Sequence, residues 1–475
     1  MARIYLQGAP LAAIPDSMTQ ENIVMPFGLV DSPPKSVLEK DGILEFLKSF
    51  AYRDERALLP GPKSLLGASD LNIPIFSNEF WTSRQRQASS IHEISYRACF
   101  KPQLPRFFIE LLTKKGDTVY DPFLGRGTTA IEAGLLGRIP IGNDINPLSQ
   151  ILTWPRLCIP PLEKISKRLD EIPFSKRYPA SLDLSMFYHP DTEAEIVSLK
   201  NYLAQRLAEG KEDDADLWIR MVATNRLTGH SSGFFSVYTL PPNQAASQKD
   251  QRRINEKRGQ KPEYRNVKAI ILKKTKSLLK DLTPRQIESL NVSSRFALFL
   301  ANDAAKVPEI ESGSVRLTVT SPPFLDIVEY SKDNWLRSWF NGIDVDAVGS
   351  KITMSKTIEA WSCKMRDVFR ELYRVTSPGG YVAFEVGEIR KGEIRLEDYV
   401  VPIGLSAGFQ CVAIMVNKQR FTKTSNIWGI TNNASGTNTN RIVIFRKIAT
   451  AQVKGNLSRS LSREKEINGQ LPFSF

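Results

Sequence analysis

The sequence predicts an α/β fold: a mostly parallel, twisted sheet with helices on both faces, carrying a large and mostly helical insertion. Three observations lead there. Strand-like and helix-like runs alternate from about Ser95 and again from about Leu298, and strands separated by helical stretches read as crossover units of a parallel sheet. Two predicted strands stop at turn-forming motifs, Asp121-Pro122-Phe123-Leu124-Gly125-Arg126-Gly127 and Thr320-Ser321-Pro322-Pro323-Phe324. The stretch between them has helical periodicity and a dense basic run. With 475 residues, 41% of them hydrophobic, the chain can bury a substantial core, and its length suggests two or three domains.

Residues 1–90 form an N-terminal arm rich in prolines (Pro33-Pro34, Pro60-Gly61-Pro62, Pro74), with one helical patch from about Ser36 to Tyr52 that places Leu38, Leu44, Phe46 and Leu47 on its apolar side. The arm is expected to wrap a neighbouring domain. Trp81 to Gln87 reads as a solvated loop.

The segment 91–151 is the cofactor half. Ser95 to Pro102 leads into an amphipathic helix, about Leu104 to Leu112, then a strand, Thr118-Val119-Tyr120. The motif that ends this strand is followed by Thr128-Thr129 and a helical run, Ala130 to Leu136. A glycine-bearing turn between strand and helix lets backbone approach a ligand closely, and the helix start presents free amides. The spacing is not the G-x-G-x-x-G of dinucleotide binding. A second strand, Ile139 to Gly142, ends in Asn143-Asp144, which puts a carboxylate where it can grip ribose hydroxyls. A lone Gly-x-Gly is weak evidence. Strand, glycine turn, helix, strand and acid in sequence imply a nucleotide-type site.

The insertion, 152–293, is the candidate for reading nucleic acid. It holds helical segments at about Asp191 to Ala208 and Ala215 to Leu227, then a loop from Thr228 to Phe235 mixing glycines, small polar groups and aromatics. Residues 251–280 carry eleven Lys or Arg against two Glu, within a chain whose 64 Lys+Arg outnumber 51 Asp+Glu for a net +13. Such a concentration suits a phosphate backbone, with Arg252, Arg253, Lys257, Arg258, Lys273, Lys274 and Lys276 as the expected contacts. A solvated helix face is the bland alternative. His230 reads as a satisfied core or loop histidine.

In the target half, 294–450, the run Val315 to Val319 is a strand that two prolines terminate, since neither can continue a central ladder. The turn is stiff and rich in acceptors. A planar base with an exocyclic amino group fits it: the Ser321 hydroxyl and carbonyl accept the two amino hydrogens while Phe324 stacks on the ring. An ordinary Pro-Pro loop is the competing reading. Helices follow at Trp335 to Phe340 and Met354 to Tyr373, the second terminated by Ser377-Pro378-Gly379-Gly380. Strands follow at Tyr381 to Val386, Val412 to Val416 and Arg441 to Phe445. The Asn- and Thr-rich stretch Lys423 to Asn440 either lines a cleft or is a polar hairpin connection. A polar tail, 451–475, closes the chain.

Four scattered cysteines (Cys99, Cys158, Cys363, Cys411) and three histidines (His92, His189, His230) argue against a zinc site or a disulfide framework, so no metal is expected. With no apolar run of membrane length and no secretory signal pattern, a cytoplasmic protein is expected.

Together, Asp-Pro-Phe-x-Gly-x-Gly-Thr-Thr and the later Thr-Ser-Pro-Pro-Phe resemble the paired signature of S-adenosylmethionine-dependent DNA methyltransferases that modify exocyclic amino groups. The Ser-Pro-Pro form is more similar to the cytosine-N4 enzymes than to the adenine-N6 enzymes. The resemblance covers about Ser95 to Asn146 and Leu298 to Lys447. It implies a Rossmann-like methyltransferase fold with an antiparallel C-terminal strand, and S-adenosylmethionine as cofactor. It assigns Ser321, Pro322, Pro323 and Phe324 to catalysis, and Asp121, Pro122, Phe123, Gly125, Gly127, Thr128, Thr129 and the ribose-binding Asp144 to the cofactor. Phe100, Lys101 and Pro102 would lie against the cofactor's methionine end, and Asn302 and Asp303 at its adenine ring. Double-stranded DNA is the implied partner, with no membrane role, and a cognate restriction endonuclease is one the family allows. The long stretch between Asp144 and Asn302 departs from most relatives. A carbon-5 cytosine enzyme would need a nucleophilic cysteine after a proline, and none of the four has that setting. Adenine-N6 transfer, an RNA, protein or small-molecule methyltransferase, and a non-catalytic DNA-binding protein remain as alternatives.

Overall fold

The computed structural model describes residues 42–50, 58–59, 73–81, 88–97, 99–175, 178, 180–240, 245–323, 333–351, 357–386, 388–389, 394–418 and 439–449. Eleven strands occur among them: β1 (Leu58–Leu59), β2 (Ile75–Asn78), β3 (Thr118–Asp121), β4 (Ile139–Asn143), β5 (Leu298–Leu300), β6 (Val315–Thr320), β7 (Thr376–Val386), β8 (Glu388–Ile389), β9 (Ile394–Arg395), β10 (Gln410–Lys418) and β11 (Thr439–Arg446). β8 and β9 pair only with each other. The other nine make one sheet in the order β1-β2-β10-β11-β7-β6-β3-β4-β5.

The pairs from β7 through β5 are all parallel, whereas β11 runs antiparallel to both β7 and β10. From β3 the chain steps outward to β4 and β5, then returns on the other side of β3 with β6 and β7. The crevice between β3 and β6 is therefore the topological switch point, where carboxyl ends of parallel strands open a ligand site. This is the mostly parallel α/β arrangement expected from the alternation, and the Rossmann-like fold with an antiparallel C-terminal strand that the resemblance implies.

Each face of the sheet is covered by a helix whose apolar stripe follows the helical repeat. On one side Leu104, Phe107, Phe108 and Leu111 of the helix Gln103–Leu112 pack on Val119, Leu317, Val319 and Tyr381. On the other, Trp361, Met365, Val368, Phe369 and Leu372 of the helix Ile358–Val375 pack on Val382, Phe384, Val443 and Phe445. Thr357 caps that helix, its hydroxyl accepting from the Ala360 amide at 3.2 Å; Met354, where the helix was expected to begin, lies outside the described residues.

Three local readings change. Ser377-Pro378-Gly379-Gly380 does not break the chain between helix and strand: it lies inside β7, where the register against β6 shifts between Val315 and Leu317. A bulge tolerates Pro378, and Gly379 takes φ +78°. The arm does more than wrap, since β2 extends the sheet parallel to β10. Trp81 is not in a solvated loop but is 2% exposed in an aromatic cluster with Phe80, Phe107 and Phe108. The helix Glu397–Ser406, with Pro402 inside it, was hidden by that proline.

The insertion contributes the helices Leu162–Glu171, Pro190–Ala208, Asp214–Arg226, Gln248–Arg258, Val267–Leu279 and Pro284–Ser294. The insertion's buried residues Leu157, Phe187, Trp218, Ile219, Val222, Ile271 and Leu278 share one continuous core with Ile91, Ile94, Ile131 and Leu148 of the cofactor half, and with Leu336 and Phe340 beyond the Pro-Pro turn. No described helix is long and apolar enough to cross a membrane.

Candidate active site

Five neighbouring strands deliver a polar side chain at or just beyond their carboxyl ends: Glu385 on β7, Ser321 after β6, Asp121 on β3, Asp144 after β4 and Asn302 after β5. The two sequence motifs meet directly. The Thr320 hydroxyl donates to Asp121 Oδ1 at 2.7 Å, and the Thr129 hydroxyl donates to the Val319 carbonyl at 3.1 Å. Strand β6 is thus tied to both the strand and the helix that flank the glycine turn. Asp121 is 2% exposed. Burial pushes its carboxyl up to about 6, against hydrogen bonds from Thr320, the Phe123 amide and Thr129.

The glycine turn is held from below. Arg126, between the two glycines, is turned away from the strand ends: its guanidinium donates to the Ile94 carbonyl at 3.0 Å and to Thr128 Oγ1 at 3.2 Å. Gly127 has φ +78°, and a Cβ there would sit 2.2 Å from Thr153 Oγ1. Protein packing therefore demands this glycine. Gly125, at φ +51°, has only ordinary contacts, Tyr96 at 3.6 Å and Cys99 at 3.9 Å, so there the backbone conformation alone favours glycine.

Asp144 braces the same turn, its carboxylate accepting the Gly125 amide at 2.8 Å and the Asn146 amide at 2.9 Å. Burial raises its pKa, opposed by those two amides. Each oxygen keeps acceptor capacity beyond one bond, which suits a vicinal diol. Asn143 clamps β4 to the end of β5, donating to the Asn302 carbonyl at 2.9 Å and accepting the Asn302 amide at 3.0 Å. Asn302 in turn donates to both oxygens of Glu309 at 2.9 Å. Burial works against the charge on Asp303, but Lys364 at 2.5 Å and the Ala305 amide hold its carboxyl low. Phe100 and Lys101 are half-buried and Pro102 is buried at the start of the helix Gln103–Leu112; burial, then Arg126, lowers the Lys101 pKa. Cys99 lies beside the turn, yet burial pushes its thiol up, which makes it a poor nucleophile.

The Pro-Pro turn is fixed by Trp361, whose indole donates to the Pro323 carbonyl at 3.2 Å; Phe324 lies outside the described residues. Ser321 lies alongside Glu385 in the register of β6 against β7, and its hydroxyl opposes the rise that burial gives the Glu385 pKa. Asn440, at the start of β11, donates to Glu385. Sequence reasoning missed Glu385, Asn143, Glu309 and Lys364 as members of this region, while Asn440 ends the stretch it read as either a cleft lining or a polar hairpin connection. One acid within the apolar strand run Tyr381 to Val386 was the available signal for Glu385.

The insertion's cations are dispersed by comparison. Arg252 pairs with Asp183 at 2.7 Å and Arg253 with Asp250 at 3.7 Å, while the Arg258 guanidinium lies 3.9 Å from the Tyr238 ring centroid. Lys274 is turned inward onto Glu93 at 3.7 Å, and burial pushes its ammonium down to about 8. Lys257, Lys273 and Lys276 are exposed.

Residues 73–150 match the DNA methylase family model of the N6 and N4 enzymes. The type II methyltransferase M.BsoBI of Geobacillus stearothermophilus is 25% identical over 336 residues, which cover 63% of this chain and 62% of that one. The type II methyltransferase M.MvaI of Kocuria varians is 33% identical over 97 residues, 20% of each chain. A tRNA (guanine(10)-N2)-dimethyltransferase of Methanocaldococcus jannaschii is 40% identical over 87 residues, 16% of this chain and 25% of its own. The matches thus span less than two thirds of each of these relatives. The matched segment holds the glycine turn, its helix and Asp144, so in this region the chain is similar to the N6 and N4 DNA methylases.

Proposed function

We propose that this chain transfers a methyl group from S-adenosylmethionine to the exocyclic N4 amino group of a cytosine flipped out of duplex DNA. The observation that carries the reading is the Thr320–Asp121 hydrogen bond, because it joins the nucleotide-type turn and the Ser-Pro-Pro turn at one crevice. The residues present fit the cofactor: Asp144 offers acceptors for a ribose diol beside the turn that its carboxylate organises, and Asn302 with Asp303 closes the far side.

S-adenosylmethionine, when bound, supplies an electrophilic methyl group on a sulfonium. The chain's part is to make a poor nucleophile react. The amino lone pair of cytosine is delocalised into the ring until acceptors hold its hydrogens, and Ser321 offers two, its hydroxyl oxygen and its carbonyl. With Glu385 alongside to take the hydroxyl hydrogen, the oxygen's lone pairs are left for the substrate. Orientation and exclusion of water then govern the rate. Flipping costs a few kcal/mol, and stacking on Phe324 is the proposed compensation. Arg252, Arg253, Lys257, Arg258, Lys273 and Lys276 supply phosphate contacts in this reading.

Adenine-N6 transfer uses the same pocket. A structured RNA is a further reading, favoured by the tRNA-modifying relative. Methyl transfer from labelled S-adenosylmethionine, with DNA and RNA in competition and the product nucleoside identified by mass spectrometry, separates all three. N4-methylcytosine in DNA is expected; N6-methyladenine, or label in RNA alone, would overturn the assignment.

A further inference from the structure

Glu385 takes no part in the two sequence motifs, yet it sits at the carboxyl end of β7 beside the turn that follows β6. The register pairs Thr320 with Phe384, which brings Ser321 alongside Glu385. The carboxyl is 7% exposed, and the groups set against it among the described residues are neutral: Asn440, which donates to it, and the hydroxyl of Ser321. A carboxylate buried without a cation is costly unless it has a task.

We propose that Glu385 is the proton acceptor of the reaction, acting through Ser321, with Asn440 holding it in place. The inference rests on the functional reading above. When the N–CH3 bond forms and the methyl–sulfur bond breaks, its electron pair leaving on sulfur, the amino nitrogen becomes positively charged and must lose a proton. One N–H proton passes to Ser321 Oγ as the Ser321 hydroxyl proton passes to a Glu385 oxygen, and the N–H electron pair returns to nitrogen. Ser321 ends as a hydroxyl, Glu385 as a carboxylic acid, and the base is neutral. Glu385 is thereby a positioning residue in the resting state, since accepting the Ser321 hydroxyl aims the oxygen's lone pairs at the substrate.

Burial pushes the Glu385 carboxyl up to about 7, against hydrogen bonds from Asn440 and Ser321, which matches a base working near neutrality. The charged groups nearby are otherwise engaged. On β11, Arg441 pairs with Glu397 at 2.6 Å. Beyond β6, Asp121 is bonded to Thr320 and titrates at about 6, so a variant is needed to tell the two carboxyls apart.

The test joins a pH series of single-turnover methyl transfer with an infrared titration of the full-length protein's carboxyls. In the wild type the rate is expected to climb through pH 7. Glu385→Gln should slow transfer roughly 100-fold, in the range that general acid–base groups supply. It should also remove that limb while leaving S-adenosylmethionine affinity unchanged, and Glu385→Asp should restore part of both. Independently of activity, Ser321→Ala should move the Glu385 carboxyl titration upward, because a bond that favours the charged form is lost. A Glu385→Gln enzyme with the wild-type rate and pH profile overturns the proposal. So does an infrared titration near pH 7 indifferent to both substitutions, which would leave the functional reading standing. A wild-type protein that methylates nothing, with the Ser321-dependent titration intact, removes the functional reading and this proposal with it.

Discussion

The strand ends of the sheet and the helices of the insertion are both rich in polar side chains, but they use them in opposite ways. At the strand ends, Asp121, Asn143, Asp144 and Glu385 are at least half-buried and bonded across strands or across a turn. Each bond fixes the position of a backbone that a ligand would meet, and each group left unpaired there would carry a desolvation cost. In the insertion's basic run, by contrast, Arg252, Lys273 and Lys276 stand exposed, Arg252 singly paired with Asp183 and the two lysines free of an ion pair among the described residues. Exposed pairs contribute little to stability. The first region is therefore built for geometry and the second for field, and substitutions should divide accordingly.

The largest effect is expected at Asp121. Its folded-state pKa is raised to about 6 from 3.8, so the stability it contributes is fully present below pH 4 and is lost as pH rises through 6. Asp121→Asn, which does not titrate, should gain on the wild type by about 2.4 kcal/mol between pH 4 and 7, most of the roughly 3 kcal/mol that the full shift is worth at about 1.4 kcal/mol per pKa unit. Urea unfolding at the two pH values measures it, and parallel pH dependences in the two proteins would show that Asp121 is not held as the structure indicates. Next comes Asp144→Ala. Losing hydrogen bonds to a charged group costs about 1.5–3 kcal/mol, so S-adenosylmethionine should bind roughly 10- to 100-fold more weakly by calorimetry. Unchanged affinity in a folded variant would remove Asp144 from the site.

The smallest effect belongs to the insertion, and it is a change of slope. Lys273→Glu with Lys276→Glu should leave thermal stability near the wild-type value. It should flatten the dependence of DNA affinity on salt by roughly two in the log–log slope, about 0.9 for each phosphate no longer neutralised. Lys274 is better kept out of such a variant, because its ammonium is half-buried on Glu93. If the slope is unaffected, another surface holds the duplex, and the contrast between the two regions loses its functional half.

What could be read in the sequence was what neighbouring residues decide. The glycine turn, the acid after the next strand and the proline stop each declare themselves within a few positions, because a positive φ, a missing amide donor or a strand end is a local property. The roles that escaped notice are pairings between distant segments. Nothing near Gly127 in sequence announces that Thr153 fills the space its Cβ would need. Arg252, Lys274 and Lys276 look alike in a run of charges, and only packing tells which one meets Asp183, which one Glu93 and which one water. Glu385 was hidden for the same reason, its meaning set by Ser321 on one neighbouring strand and Asn440 on the other. The short strand β2 was invisible because its partner β10 lies near the far end of the chain.

The decisive measurement is the single-turnover rate of methyl transfer by Ser321→Ala, with DNA and S-adenosylmethionine both saturating and both affinities measured beside it. Removing one acceptor that acts on the reacting nitrogen should lower the rate by roughly one to three powers of ten, as loss of one transition-state hydrogen bond does, with both affinities nearly intact. A wild-type rate in this variant would place the target amino group somewhere other than the turn after β6 and contradict the assignment of this crevice as the site of transfer.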